Sequence, residues 1–291
     1  MTANLLPVAA APSNTTAVPA DQIAEFRRRF RTAVEAARPA PAALRWRLGL
    51  FERGLKLADE LEARIGPLTG RHVLDVGAAY GGDVAALCAR GATCVAADKF
   101  DHDYDRLLSC LNAGPRLSFM LFDCTQPWPL PSHSFDIVMS MSVLELIDDL
   151  DAFFTELLRV LKPEGIAVID TGPVLRMARL DPLYKLPAIA LLPTPLRRWV
   201  AHHLFRRQYR FHVSNHTFYS AAKFKRYVRR HGFDVIPCKY ADSPIMARAA
   251  RWPLSGLWQF LLRWLVYDFV VLRRQSAGGT AGAALQPQQP A

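Results

Sequence analysis

The sequence predicts an α/β fold: a mostly parallel β-sheet with helices packed on both of its faces. Between residues 71 and 170 short apolar runs alternate with stretches of helical period, as strands and crossover helices do in such a sheet. The first run also ends in a turn made mostly of small residues, Gly77-Ala78-Ala79-Tyr80-Gly81-Gly82, which is how a strand turns into a helix where a ligand must approach the backbone.

The elements follow in chain order. Residues 1–20 are rich in Ala, Pro, Ser and Thr, have no basic residue ahead of their apolar stretch, and are read as a disordered leader rather than a secretory signal. Residues 21–37 and 41–65 repeat apolar side chains at helical spacing, with Asp21 as the expected N-cap. They form a helical N-terminal extension, residues 21–70, that ends at Gly66, Pro67 and Gly70. Strands are expected at 72–76, 93–97, 117–122, 135–140 and 165–170, and helices at 83–90, 103–112, 142–147 and 150–161.

Alternation stops at residues 172–211, a Pro-punctuated, basic and apolar insertion. It resumes with a helix at 220–231 and strands at 233–240 and 244–250 around a turn at 241–243, a hairpin closing a domain of residues 71–250. Residues 251–274 read as an apolar C-terminal helix, and the Gly-, Ala-, Gln- and Pro-rich residues 275–291 as a disordered tail.

Composition narrows the function. With 51% hydrophobic residues the chain can bury a sizeable core, which excludes a wholly disordered protein. Its five cysteines are scattered without a CxxC pair, so neither a disulfide framework nor a zinc site is expected and the chain reads as cytosolic; no metal ligand set is expected either. The net charge of +10 is concentrated: residues 174–234 carry thirteen Lys and Arg against Asp181 and Asp234. Such a patch attracts phosphate on a lipid headgroup, a nucleic acid or a small acceptor, or is simply a solvated face. Residues 252–272 approach the length that crosses a bilayer, but Arg263 and Asp268 interrupt them, so packing on the domain or lying along an inner-membrane surface is expected instead.

The chemistry is carried by an ordered series. The spacing Gly77, Ala79, Gly82 is that of a dinucleotide fingerprint with its middle glycine replaced. Asp98 ends the second strand 21 residues beyond Gly77, where a carboxylate accepts from ribose hydroxyls. Phe122-Asp123-Cys124 ends the third strand, placing an acceptor for an amino group beside a small apolar side chain. Phe135-Asp136-Ile137-Val138, then Val143-Leu144-Glu145, then L-R-V-L-K-P-E-G at 158–165 complete the series. Each piece has a plain structural reading; Pro163 and Gly165 alone are helix punctuation.

Together VLDVGAAYGG, AADKF, FDC, FDIVMSMSVLEL and LRVLKPEG resemble the class I S-adenosylmethionine-dependent methyltransferases of the broad methyltransferase-11 kind. The resemblance covers residues 71–170 and extends to 220–250, and it implies a Rossmann-like, mostly parallel sheet with an antiparallel last strand. It implies S-adenosylmethionine as cofactor, with Asp75, Gly77, Ala79 and Gly81 in the glycine-rich loop against its methionine part. Asp98 matches the ribose acid and Asp123 the acid facing adenine, flanked by Lys99 and Cys124. The chain departs from the family at Ala79, usually glycine, and at Leu146, where a histidine often follows the glutamate.

Methyl transfer needs no nucleophilic triad, because the cofactor brings the electrophile and the protein aligns the acceptor. For a hydroxyl acceptor a base is needed, and His212, His216 and Tyr219 are the expected candidates, with Glu145 a weaker one. The expected acceptor is a small molecule, a glycan or a lipid-linked group met near a membrane. The rival readings are an RNA methyltransferase using the basic patch, an NAD-dependent oxidoreductase on the same kind of sheet, and a relative that binds without catalysis.

Overall fold

The computed structural model describes residues 18–170, 186, 189, 192, 194–206, 221–236 and 270–275, of which 145, 170, 194, 221–223 and 270 are described by backbone alone. Two helices come first, α1 (Ala20–Ala36) and α2 (Pro41–Ile65). Asp21 lies in the first turn of α1 and Pro19 takes the N-cap position, so the expected Asp21 cap shifts by two residues. The alternating region then gives β1 (His72–Val76), α3 (Gly82–Ala89), β2 (Thr93–Asp98), α4 (Tyr104–Leu111), β3 (Leu117–Leu121), β4 (Phe135–Met141), α5 (Leu150–Val160) and β5 (Leu161–Asp170). Asp149 caps α5 by accepting the Ala152 N–H at 2.9 Å. The helix expected at 142–147 is a single 3-10 turn, Leu144–Leu146.

Seven strands form one sheet in the order β3-β2-β1-β4-β5-β7-β6, where β6 is Phe233–Ile236 and β7 is Val270–Arg274. The first five are mutually parallel, and β7 is antiparallel to both of its neighbours, β5 and β6. Side chains alternate across the pleat. Val73, Cys94, Ala96, Ile137, Met139, Val168 and Val271 face α1, α2, α3 and α4. Leu74, Val76, Val138, Ala167, Ile169 and Leu272 face α5 and α7 (Ala221–Arg230), from which Phe224 and Val228 project.

Two expectations are corrected here. The strand closing the sheet is Val270–Arg274, which was expected to continue the apolar C-terminal helix. A central strand must be apolar on both faces, so Val270-Val271-Leu272 reads as an extension of the apolar run before it; period alone does not separate a buried strand from a buried helix. β6 pairs with β7, and the strand expected at 244–250 lies outside the described residues. Residues 237–250 and 251–269 lie outside the described residues. Finally, β5 begins at Leu161, four residues ahead of the expected start: Leu161 pairs with Phe135 and Ile166 with Ile137, so 162–165 bulge from the ladder. Lys162 in that bulge sits 2.8 Å from the Asp136 carboxylate, which also accepts the His72 N–H.

Within the insertion the described residues include α6 (Thr194–Trp199), continued by a π turn at Val200–Leu204. Leu186, Ile189 and Ala201 form a small separate cluster beside it. Among the described residues no helix is long and apolar enough to cross a membrane.

Candidate cofactor-binding site

The site is built at the carboxyl ends of β1, β2 and β3, where the chain must leave the sheet. After Val76 the backbone enters a left-handed turn, with φ of 81° at Gly77, 47° at Ala79 and 66° at Gly81. Gly77 is obligatory on two counts: its φ lies where side chains are strained, and a Cβ there would sit 2.3 Å from Val143 Cγ2. Ala79 takes the same kind of conformation with a methyl group present, at a cost of roughly 1–2 kcal/mol. Two hydrogen bonds hold it: its N–H donates to Asp98 Oδ2 at 2.8 Å, and its carbonyl accepts from the Tyr104 hydroxyl at 2.6 Å. The departure from glycine at Ala79 is thus accommodated by anchoring both of its main-chain groups.

Asp98 is the hinge of this arrangement. Its Oδ1 accepts the Phe100 N–H at 2.9 Å, and His102 Nε2 lies 3.7 Å away. Burial would raise its pKa, but His102 and the Phe100 and Ala79 N–H groups together outweigh that and hold it below the ordinary carboxylate range. The acid is therefore ionised and faces the turn.

Asp123 stands one strand over. Its Oδ1 accepts from the Thr125 N–H at 3.0 Å and hydroxyl at 2.8 Å, while Oδ2 meets Lys99 Nζ at 2.6 Å. Partial burial works against ionisation and these partners overcome it, so its pKa is also lowered. Lys99 and Asp123, placed by sequence on the same side of the site, are thus an ion pair. Beside them Cys124 is a free thiol whose pKa burial pushes up to about 12, so it stays neutral. The loop holding both is pinned by Trp128, whose indole N–H donates to the Cys124 carbonyl at 3.1 Å and whose main-chain N–H donates to Glu156 at 2.7 Å.

Asp75 lies beneath the turn, 2% exposed, with Oδ1 buried and lacking a hydrogen-bond partner. Burial first, then the nearby Asp83 carboxylate, push its pKa well above the ordinary value. Structure therefore brings together Asp75, Gly77, Ala79, Gly81, Asp98, Lys99, Asp123 and Cys124. His212, His216 and Tyr219 lie outside the described residues, as does the side chain of Glu145.

Residues to which the sequence reading gave no role surround the turn. Tyr104 holds Ala79 and stacks on Phe119 at 3.8 Å. Tyr80, in the turn itself, meets Trp46 edge-on at 5.6 Å and His102 at 4.8 Å, with the Arg47 guanidinium over its ring at 3.7 Å. Only the aromatic inside the glycine-rich turn carried a local signal.

Residues 74–169 match the family described as a methyltransferase domain. The segment is a class I S-adenosylmethionine-dependent methyltransferase domain. The chain carrying this domain is 36% identical over 123 residues to the demethylmenaquinone methyltransferase of Clavibacter sepedonicus, which covers 41% of this chain and 50% of that protein. It is 32% identical over 105 residues to a probable S-adenosylmethionine-dependent methyltransferase of Mycobacterium tuberculosis, covering 35% of this chain and 36% of the relative. The match therefore spans half the length, or less, of these curated relatives. In fold, the chain is similar to a putative sarcosine dimethylglycine methyltransferase from Galdieria sulphuraria, with a TM-score of 0.50 and 15% identity over 77% of this chain and 86% of that one.

Proposed function

We propose that the protein transfers the methyl group of S-adenosylmethionine to a small-molecule, glycan or lipid-linked acceptor. The observation that carries this reading is the pair of ionised carboxylates, Asp98 and Asp123, at the ends of adjacent strands beside a left-handed turn of small residues. The residues present fit the cofactor. Asp75 offers an orphaned buried oxygen beneath the turn, and the first turn of α3 presents N–H groups that have no partner within the helix. Asp98 keeps free lone pairs after its contacts with Ala79 and Phe100, enough to accept from ribose hydroxyls.

When bound, the cofactor supplies a sulfonium-activated methyl group for direct displacement. Everything else falls to the chain: Asp98 orients the ribose, Asp123 accepts from the adenine amine, and neutral Cys124 with the stem of Lys99 borders the ring. The Gly77–Gly81 turn lies along the methionine part. His212, His216 and Tyr219 are proposed on the acceptor side, where one of them takes the proton that a hydroxyl acceptor must lose. Asp98→Ala is expected to stay folded and to bind S-adenosylhomocysteine roughly 10- to 100-fold more weakly, since hydrogen bonds to a charged group contribute about 1.5–3 kcal/mol. Calorimetry checks this, and unchanged affinity removes Asp98 from the ribose role.

A peripheral membrane location for the acceptor is supported by a separate observation. Leu196 is 46% exposed, Trp199 52%, Leu204 63% and Phe205 55%, all in the thirteen-residue stretch 194–206. Arg198 and Arg206 reach that surface, Arg197 being buried, and the stretch holds no acidic residue. An apolar, basic surface suits anionic lipid headgroups. The protein is expected to float with vesicles containing anionic phospholipid, and Trp199→Ser with Phe205→Ser to abolish it. A protein left in the soluble fraction by both neutral and anionic vesicles ends this reading without touching the methyl-transfer one.

A further inference from the structure

Arg47 is the unbalanced charge beside the site. Its guanidinium carbon lies over the Tyr80 ring, 3.7 Å from the centroid, and its Nε is buried without a hydrogen-bond partner. The cations around it are compensated: Arg53 by Asp83 at 2.5 Å, Lys99 by Asp123 at 2.6 Å, and Arg106 by Asp103. No carboxylate pairs with Arg47 among the described residues. A shallow cleft lined by Ala33, Val34, Arg47, Tyr80, His102 and Arg106 opens there. It adjoins the cofactor crevice at His102, whose Nε2 is 3.7 Å from Asp98.

A partly buried guanidinium with an unmet N–H is costly until an anion completes it. A planar guanidinium fork seated over an aromatic ring is matched to a carboxylate. S-adenosylmethionine carries one carboxylate, at the end away from adenine. With Asp123 at the adenine end and Asp98 at the ribose, the remaining part of the ligand would run along the turn towards Tyr80. We propose that Arg47 of α2 binds the carboxylate of the cofactor's methionine part, with Tyr80 as the platform that orients it. This assignment rests on the methyltransferase reading. It makes the N-terminal extension part of the cofactor site and lets the protein select the amino-acid end of the ligand as well as the nucleoside.

The test compares two ligands by calorimetry: S-adenosylhomocysteine, which has the carboxylate, and 5′-methylthioadenosine, which lacks the amino-acid part. Arg47→Met is expected to weaken S-adenosylhomocysteine by about tenfold or more, the scale of a charge-assisted hydrogen bond, and to change 5′-methylthioadenosine by less than about twofold. Arg47→Lys keeps the charge but loses the fork and its seat on Tyr80, and its S-adenosylhomocysteine affinity is expected to fall between those of the unmodified protein and Arg47→Met. Equal weakening of both ligands by Arg47→Met would mean that Arg47 only props Tyr80, and it overturns the proposal, as does an unchanged S-adenosylhomocysteine affinity. If the unmodified protein binds 5′-methylthioadenosine as tightly as S-adenosylhomocysteine, the carboxylate role falls and the methyltransferase reading stands. If it binds neither, both fall.

Discussion

Asp75 sits in the strand below the turn with one carboxylate oxygen buried and unmatched, in the company of Asp83, Asp98 and Arg53. Its raised pKa has a sign that can be worked out. The unfolded chain loses the proton near 3.8, the native chain higher, so between those values the native state binds more protons and stability falls as pH rises. Asp75→Asn removes the ionisation while keeping the shape. In ligand-free protein it is expected to melt at the same temperature or higher at pH 8, with the difference shrinking towards pH 4. A variant clearly less stable at pH 8 would show that Asp75 contributes as a paired carboxylate. Residues of this kind were legible in sequence because strand ends fix where an acid can lie: Asp75, Asp98 and Asp123 all fall on the expected edge. Their partners were not. That Lys99 reaches Asp123 and Tyr104 reaches Ala79 depends on how neighbouring strands align, which no local pattern encodes.

Between elements, the contact that positions the site is that of α2 with α3. Gly54 and Gly82 let the two helices touch almost backbone to backbone: a Cβ at Gly54 would lie 2.7 Å from Ala86 Cβ and 2.8 Å from Asp83 Cα. Arg53, one residue away, pairs with Asp83 in the first turn of α3. Gly54→Ala therefore sets two effects against each other. Alanine favours the helix by about 0.5–1 kcal/mol, whereas overpacking against backbone that cannot swing aside costs typically 1–3 kcal/mol. Sterics win, and a drop in stability on urea unfolding, accompanied by weaker S-adenosylhomocysteine binding, is expected; a stabilised variant would show that α2 can slide away from the turn freely. Helices 21–37 and 41–65 were readable from their period, and so was their amphipathic character. Their attachment to the cofactor turn was not, since a glycine within a helix signals a close neighbour without saying which one.

For the molecule as a whole, the alternation of apolar runs and helical stretches was enough to specify five parallel strands with cover on both faces. Two buried clusters on opposite sides of one sheet bear this out. What the alternation hid was β7, because a strand apolar on both faces resembles the apolar stretch that precedes it. That strand occupies the slot between β5 and β6, although β5 ends at residue 170 and β7 begins at 270. Closing a loop of that length carries an entropic cost of roughly 4 kcal/mol before the intervening chain gains any contact. During synthesis β7 emerges about a hundred residues after β5, and until then the edge of β5 that β7 will cover is expected to be open to other nascent chains. Placing a late-emerging segment at mid-sheet is therefore expected to make maturation slower, and more dependent on chaperones, than that of the half that holds the glycine-rich turn.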